Sequence, residues 1–139
     1  MSKKGVSVNY FLSEEQIMIK NLARKIAEEK IAPVRAAYDE SGEFPWDIVK
    51  YLAEADLCGV YLPETYGGMG FGVFEMCLVV EELSRICGGI ALAFAGTGLG
   101  TFPILLFGNE EQKRKYLPPI ARGQKLAAFA VTEAESGSD

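Results

Sequence analysis

The chain has 139 residues, of which 49% are hydrophobic and 24% are charged, a balance typical of a globular domain and not of a disordered chain. Its net charge of -5 argues against nucleic-acid binding, which needs a basic surface to neutralise phosphates. The sequence contains no histidine, so the commonest general base and zinc ligand is missing. We therefore predict no metal site and no Ser–His hydrolase.

The first half of the chain carries the signals of two helices. Ser13 and Gln16 form a capping box, and an apolar face with helical spacing follows until Pro33 breaks or kinks the helix. A turn is predicted at Ser41 and Gly42, and Pro45 suits the start of a second helix that ends near Gly59.

The second half is more apolar. A third helix is predicted over residues 73–87, and residues 86–108 then carry no charge at all. This stretch is long enough to cross a membrane, but its glycines and Pro103 favour a buried central helix pair over a membrane span. Asn109 caps a further helix, predicted to end near Leu117, before the two prolines.

The C-terminal segment changes character. Residues 126–131 form a short apolar run typical of a buried strand, and residues 132–139 form a polar turn. A lone strand leaves its backbone groups unpaired, so the sequence predicts that the chain is part of a larger fold. We predict a mainly α protein with a helical domain over residues 1–125 and, over residues 126–139, the first strand and turn of a β-domain.

Two patterns suggest chemistry that their context does not support. The alternating glycines at 68–72 and 96–100 lack the preceding strand and the spacing of a dinucleotide-binding fingerprint, so we assign them to turns and close packing. Glu81 and Glu82 are adjacent and point about 100° apart on a helix. A solvated or salt-bridged face is therefore predicted, and not an acid–base pair.

Four motifs in register resemble the acyl-CoA dehydrogenase family over nearly the whole chain. They are LPETYGGMG at residues 62–70, EELS at 81–84, GNEEQKRKYLP at 108–118 and FAVTEAESGSD at 129–139. The last resembles the family's signature, aliphatic-A-x-T-E-P-x-A-G-S-D. Ala134 departs from it, standing where the signature has proline.

The resemblance implies that FAD and acyl-CoA bind between an N-terminal helical domain, a β-domain and a C-terminal helical domain. An acyl-CoA is oxidised to its trans-2-enoyl-CoA, by removal of the α-proton and transfer of hydride to flavin N5. Electron-transferring flavoprotein is the implied acceptor. The complete protein is expected to be a homotetramer or homodimer in the cytoplasm, or in the mitochondrial matrix if eukaryotic.

The resemblance also assigns residues. The cofactor-binding positions are Phe129, Val131, Thr132, Gly137 and Ser138, and the substrate-binding positions are Leu92, Ala95, Leu99 and Ser138. No residue of this chain matches the catalytic base, so the isolated chain is expected to be inactive. Two alternatives stay open: a non-catalytic helical interaction module derived from the same fold, and a small membrane protein.

Overall fold

A computed structural model describes residues 11–137, and the chain in this range is mainly helical, as predicted. The described residues form six α-helices: α1 (Glu14–Ile26), α2 (Arg35–Ser41), α3 (Trp46–Glu54), α4 (Val73–Ser84), α5 (Gly88–Phe107) and α6 (Glu110–Ala121). A π-helical turn, Ala27–Ile31, follows α1, and two short 3-10 turns, Leu57–Gly59 and Glu64–Tyr66, lie between α3 and α4.

The core forms where α1, α4 and α5 pack together. The predicted capping box is present at the start of α1, where the Ser13 hydroxyl accepts a hydrogen bond from the backbone N–H of Gln16. The predicted apolar face of α1 is buried at Ile19, Ala23 and Ile26. Leu83 of α4 is fully buried in the same core, which supplies most of the stability of this domain.

The first helix ends as the proline predicts. The chain leaves the π-helical turn before Pro33 and re-enters a helix at α2, which the sequence analysis did not predict. Gly42 caps α2 with a φ of 68°, in the left-handed region that glycine adopts without steric cost. The predicted second helix forms as α3 and ends at Glu54, before Gly59.

The predicted buried helix pair over residues 86–108 is wrong. This stretch forms the single helix α5, which runs through its glycines and through Pro103, and one of its faces is exposed. An added Cβ at Gly98 would meet the terminal methyl group of Met76, so α4 packs closely against α5 there and a larger residue requires this flexible side chain to move. Tertiary contact of this kind outweighs the low helix propensity of glycine.

The final helix begins as predicted and ends later. Asn109 caps the helix as predicted, because its side-chain oxygen accepts a hydrogen bond from the backbone N–H of Gln112. However, α6 continues through Pro118 and Pro119 to Ala121. Leu117 and Ile120 are buried, so core packing holds this last turn although the prolines lack N–H donors.

The predicted buried strand over residues 126–131 is not formed within the described part of the chain. These residues have no regular secondary structure, and residues 128–131 are exposed. A strand needs a neighbour to pair its backbone groups, and the only β-bridge in residues 11–137 joins Glu133 and Ser136. The domain boundary between residues 125 and 126 stays a prediction.

The glycine-rich runs have structural roles, as the sequence analysis assigned them. The run at 68–72 forms a turn in which Gly70 has a φ of 77° and an added Cβ at Gly68 would collide with the Leu62 carbonyl. The run at 96–100 lies inside α5. Neither run has the strand-to-helix context of a dinucleotide-binding fingerprint.

Candidate active-site face

One face of α5 is apolar and exposed. Leu92, Leu99 and Leu106 are 62%, 57% and 65% exposed, although apolar side chains of this size are usually buried. They recur every seven residues, so they lie on one side of the helix, which they share with the partly buried Ala95. We call Leu92, Ala95, Leu99 and Leu106 the α5 stripe. Its first three members are the predicted substrate-binding positions other than Ser138.

The opposite side of α5 is fixed by buried polar groups. The Tyr61 hydroxyl donates to the Thr101 hydroxyl at 3.3 Å, and the Thr101 hydroxyl donates to the Thr97 carbonyl oxygen at 2.6 Å. Burial raises the pKa of Tyr61, so this phenol stays protonated at neutral pH. The bonded network holds α5 in one orientation and so fixes the direction in which the stripe faces.

The C-terminal segment crosses α5 at Gly100. An added Cβ at this glycine would lie 2.6 Å from the Ala128 backbone nitrogen and 2.7 Å from the Ala127 carbonyl carbon. Such distances are too short for any side chain, so the backbone of residues 127–128 rests directly on the helix. The segment therefore passes over the side of α5 that carries Gly100, about 100° around the helix from Leu99.

The predicted flavin-contacting residues lie just beyond this crossing. Phe129 and Val131 have exposed apolar side chains, and Thr132 is also exposed. A tight turn follows, in which the Glu133 N–H donates to the Ser136 carbonyl at 2.7 Å. The turn brings Gly137 back beside Thr132, because an added Cβ at Gly137 would lie 3.9 Å from Thr132 Cγ2. Ser138 lies outside the described residues.

A second surface feature was not predicted from the sequence. A groove of about 470 Å³ lies between α2, the loop before α3 and the start of α5. We call it the α2–α5 groove; it is lined by Arg35, Tyr38, Asp39, Gly42, Glu43, Phe44, Pro45, Cys87, Gly89, Ile90, Leu92 and Ala93. Leu92 therefore belongs to both the groove and the stripe. The groove escaped sequence analysis because α2 itself was not recognised.

The Glu81–Glu82 pair is salt-bridged, as predicted, but only half of it is solvated. Glu81 is exposed, whereas the Glu82 side chain is 1% exposed and contacts Lys20, Arg24 and Arg85 at 3.4, 2.9 and 3.1 Å. Hydrogen bonds from Arg24 outweigh the effect of burial and lower the pKa of Glu82 to about 2. This buried carboxylate ties α1 to α4 and is not an acid–base catalyst.

Helix α5 is also, within residues 11–137, the one helix long and apolar enough to cross a membrane. By itself this is weak support for a span, because a core helix of a globular domain has the same length and composition. The absence of a membrane span stays a prediction.

The sequence and the fold agree with those of known proteins. A family model described as "Acyl-CoA dehydrogenase, N-terminal domain" matches residues 13–124. The chain therefore belongs to the acyl-CoA dehydrogenase family, and its helical bundle is that family's N-terminal domain, as the sequence motifs predicted.

Individual relatives agree with this assignment. The chain is 42% identical over 129 residues to an acyl-CoA dehydrogenase of Bacillus subtilis, covering 92% of this chain and 34% of the relative. It is 44% identical over 131 residues to a 3-(aryl)acrylate reductase of Clostridium sporogenes, covering 93% of this chain and 34% of the relative. The structure of an acyl-CoA dehydrogenase complexed with FAD from Bacillus anthracis matches with a TM-score of 0.86 at 41% identity, covering 96% of this chain and 23% of that one. The chain spans about a third of the length of the curated relatives it matches.

Proposed function

We propose that this chain is the N-terminal part of an FAD-dependent acyl-CoA dehydrogenase that oxidises an acyl-CoA to its trans-2-enoyl-CoA. The α-proton leaves to a base, and the β-hydrogen leaves as hydride. No residue of this chain is proposed as that base. The protein's role here is to position the two ligands and to exclude water from the reacting atoms.

The exposed α5 stripe is the observation that carries the proposal. A helix that exposes this much apolar surface is usually covered by a ligand or by another domain. The stripe also has the composition of small-molecule pockets, which are mostly apolar with a few polar groups. We propose that the acyl chain lies along Leu92, Ala95 and Leu99, where the small side chain of Ala95 leaves room.

The C-terminal segment supplies the proposed flavin contacts. Phe129 and Val131 offer apolar surface to a ring system, and the Thr132 hydroxyl offers a hydrogen bond. Gly137 lies close to Thr132, so the tight turn and the threonine present one continuous surface. These residues fit a flavin that, when bound, supplies the hydride acceptor. Ser138 is proposed to contact the flavin phosphate or the CoA.

The remaining family properties are proposed for the complete protein. Electrons pass to electron-transferring flavoprotein, and the subunits form a homotetramer or homodimer without a membrane span. The cytoplasm is the proposed location, or the mitochondrial matrix in a eukaryote.

A chimera tests the proposal. This chain replaces the matching N-terminal third of the Bacillus subtilis relative, which supplies the rest of the protein. We expect the purified chimera to retain flavin and butyryl-CoA to bleach its absorbance without oxygen. The intact relative is the positive control.

The same chimera separates the alternatives. A chimera that folds and assembles but binds no flavin would contradict the proposal and favour a non-catalytic interaction module. Partition of the unmodified chain into detergent and not buffer would favour a small membrane protein. A chimera that binds flavin but is reduced by no acyl-CoA would exclude the proposed reaction. The assignment of the cofactor would still stand.

A further inference from the structure

The α2–α5 groove opens at one end of the α5 stripe, and the two surfaces share Leu92. We infer that this groove receives the distal end of a long, uncharged acyl chain whose thioester end lies further along the stripe. The inference rests on the proposed function, because it extends the acyl path beyond the residues already assigned to it.

Continuity along α5 is the first argument. Gly89 and Ala93 line the groove, and Leu92 lies between them in sequence. Ala95 and Leu99 follow on the same side of the helix, one and two turns beyond Leu92. A flexible chain that lies over Leu99 and Ala95 therefore reaches the groove without leaving the surface of α5.

The size and lining of the groove suit an acyl tail. Its volume of about 470 Å³ falls within the range of about 300–1,000 Å³ typical of small-molecule sites. Half of its lining is apolar or aromatic, namely Tyr38, Phe44, Pro45, Ile90, Leu92 and Ala93. Contact with this part would remove methylene groups from water, at roughly 0.8 kcal/mol for each buried group.

The charges at the groove select against a second carboxylate. Asp39 and Glu43 both line it, and Arg35 is the one lining residue with a positive charge. The Arg35 guanidinium already donates to the Ile86 carbonyl oxygen at 2.8 Å. An anionic tail would meet two carboxylates and one engaged cation, so we infer that uncharged tails bind better than dicarboxylic ones.

Two neighbouring glycines allow a matched test. Gly88 and Gly89 are both exposed in the first turn of α5, and an added Cβ at either would meet nothing within 4 Å. Gly89 lines the groove and Gly88 does not. Gly89→Leu should therefore fill the groove without disturbing the fold, and Gly88→Leu is its control.

The experiment measures kcat/KM of the chimera with butyryl-CoA, palmitoyl-CoA and glutaryl-CoA, normalised to bound flavin. We expect the unmodified chimera to prefer palmitoyl-CoA to glutaryl-CoA. Gly89→Leu should lower kcat/KM for palmitoyl-CoA about tenfold and leave that for butyryl-CoA unchanged, since only the longer chain reaches the groove. Gly88→Leu should change neither value.

Three results would overturn the inference. One is a Gly89→Leu chimera with unchanged palmitoyl-CoA kinetics, which would mean that another part of the protein fills the groove. Another is an equal loss at every chain length, and the third is the same loss in Gly88→Leu. Failure of every acyl-CoA to reduce the flavin would instead overturn the proposed function.

Discussion

Glu82 shows how a single buried charge can hold two helices together. Its carboxylate is removed from water but accepts two hydrogen bonds from Arg24 at 2.9 Å, one from Arg85 at 3.1 Å and an ion pair from Lys20. A buried carboxylate is stable only when its partners replace the lost hydration. Loss of its charge leaves three cations without their shared anion.

We expect Glu82→Gln to lower the free energy of unfolding by about 3 kcal/mol, because it breaks a buried ion-pair network. Glu81→Gln is the matched control, since Glu81 is 57% exposed and its one contact, to Lys20, spans 3.7 Å. It should cost less than about 0.5 kcal/mol. Urea unfolding of both variants at neutral pH measures the difference, and equal losses would contradict this role.

The pH dependence follows from the lowered pKa of Glu82. The folded value is about 2 and the ordinary value is 4.5, so the stabilisation is present above pH 4.5 and is lost as the pH falls towards 2. The free energy of unfolding of the unmodified chain should fall more steeply over this window than that of Glu82→Gln. Parallel curves would show that Glu82 keeps an ordinary pKa.

At Thr132, the proposed hydrogen bond to flavin gives a third prediction at the residue scale. In the chimera, Thr132→Ala should weaken flavin binding about tenfold, the effect of roughly 1.4 kcal/mol, whereas Thr132→Ser keeps a hydroxyl and should restore most of it. Flavin released on dilution measures the affinity. Equal affinity in all three proteins would remove Thr132 from the site.

Among the elements, α5 shows that glycines in one helix can have different roles. Gly98 accommodates Met76, and Gly100 accommodates the backbone of residues 127–128. Gly96 meets nothing within 4 Å, so no described residue requires it to be a glycine. A glycine-to-alanine substitution is therefore expected to have opposite effects on the free energy of unfolding at positions 96 and 100.

Gly96→Ala should raise the free energy of unfolding by up to about 1 kcal/mol, because alanine favours a helix interior. Gly100→Ala should lower it by about 1–3 kcal/mol, because the added methyl group collides with the C-terminal segment. Thermal or urea unfolding compares the two. Faster proteolysis within residues 126–137 should accompany Gly100→Ala only, and its absence would show that the segment does not rest on Gly100.

The elements also show what local sequence can and cannot determine. Side-chain caps are local signals, so the starts of α1 and α6 at Ser13 and Asn109 were predictable. The end of α6 was not, because burial of Leu117 and Ile120 keeps the helix beyond its prolines. The same limit applies to α5, whose continuity depends on contacts with distant residues such as Met76.

At the scale of the whole molecule, the unmodified chain exposes the α5 stripe together with Phe107. An apolar surface of this extent favours association of copies. We expect the isolated chain to self-associate as its concentration rises. Leu99→Glu should reduce that association, and Met18→Glu, at an exposed position on α1, is the control.

Sedimentation velocity across a range of concentrations measures this association. A chain that stays monomeric at every concentration would contradict the assignment of the α5 stripe as a surface that a ligand or another domain covers. An equal effect of both substitutions would contradict it as well.

The candidate site was predictable only in part from the sequence. The types and order of the site residues identified the family, because these residues lie in motifs that are contiguous in the sequence. The α2–α5 groove depends on how α2 packs beside α5, which no contiguous motif encodes. The pairing of residues 126–131 depends on backbone partners that the described chain does not supply.

The most direct test of the proposed function is a crystal structure of the chimera with FAD and an acyl-CoA bound. We predict that the flavin ring lies against Phe129, Val131 and Thr132, with the acyl chain along Leu92, Ala95 and Leu99. A structure in which protein covers these residues and both ligands bind elsewhere would contradict it.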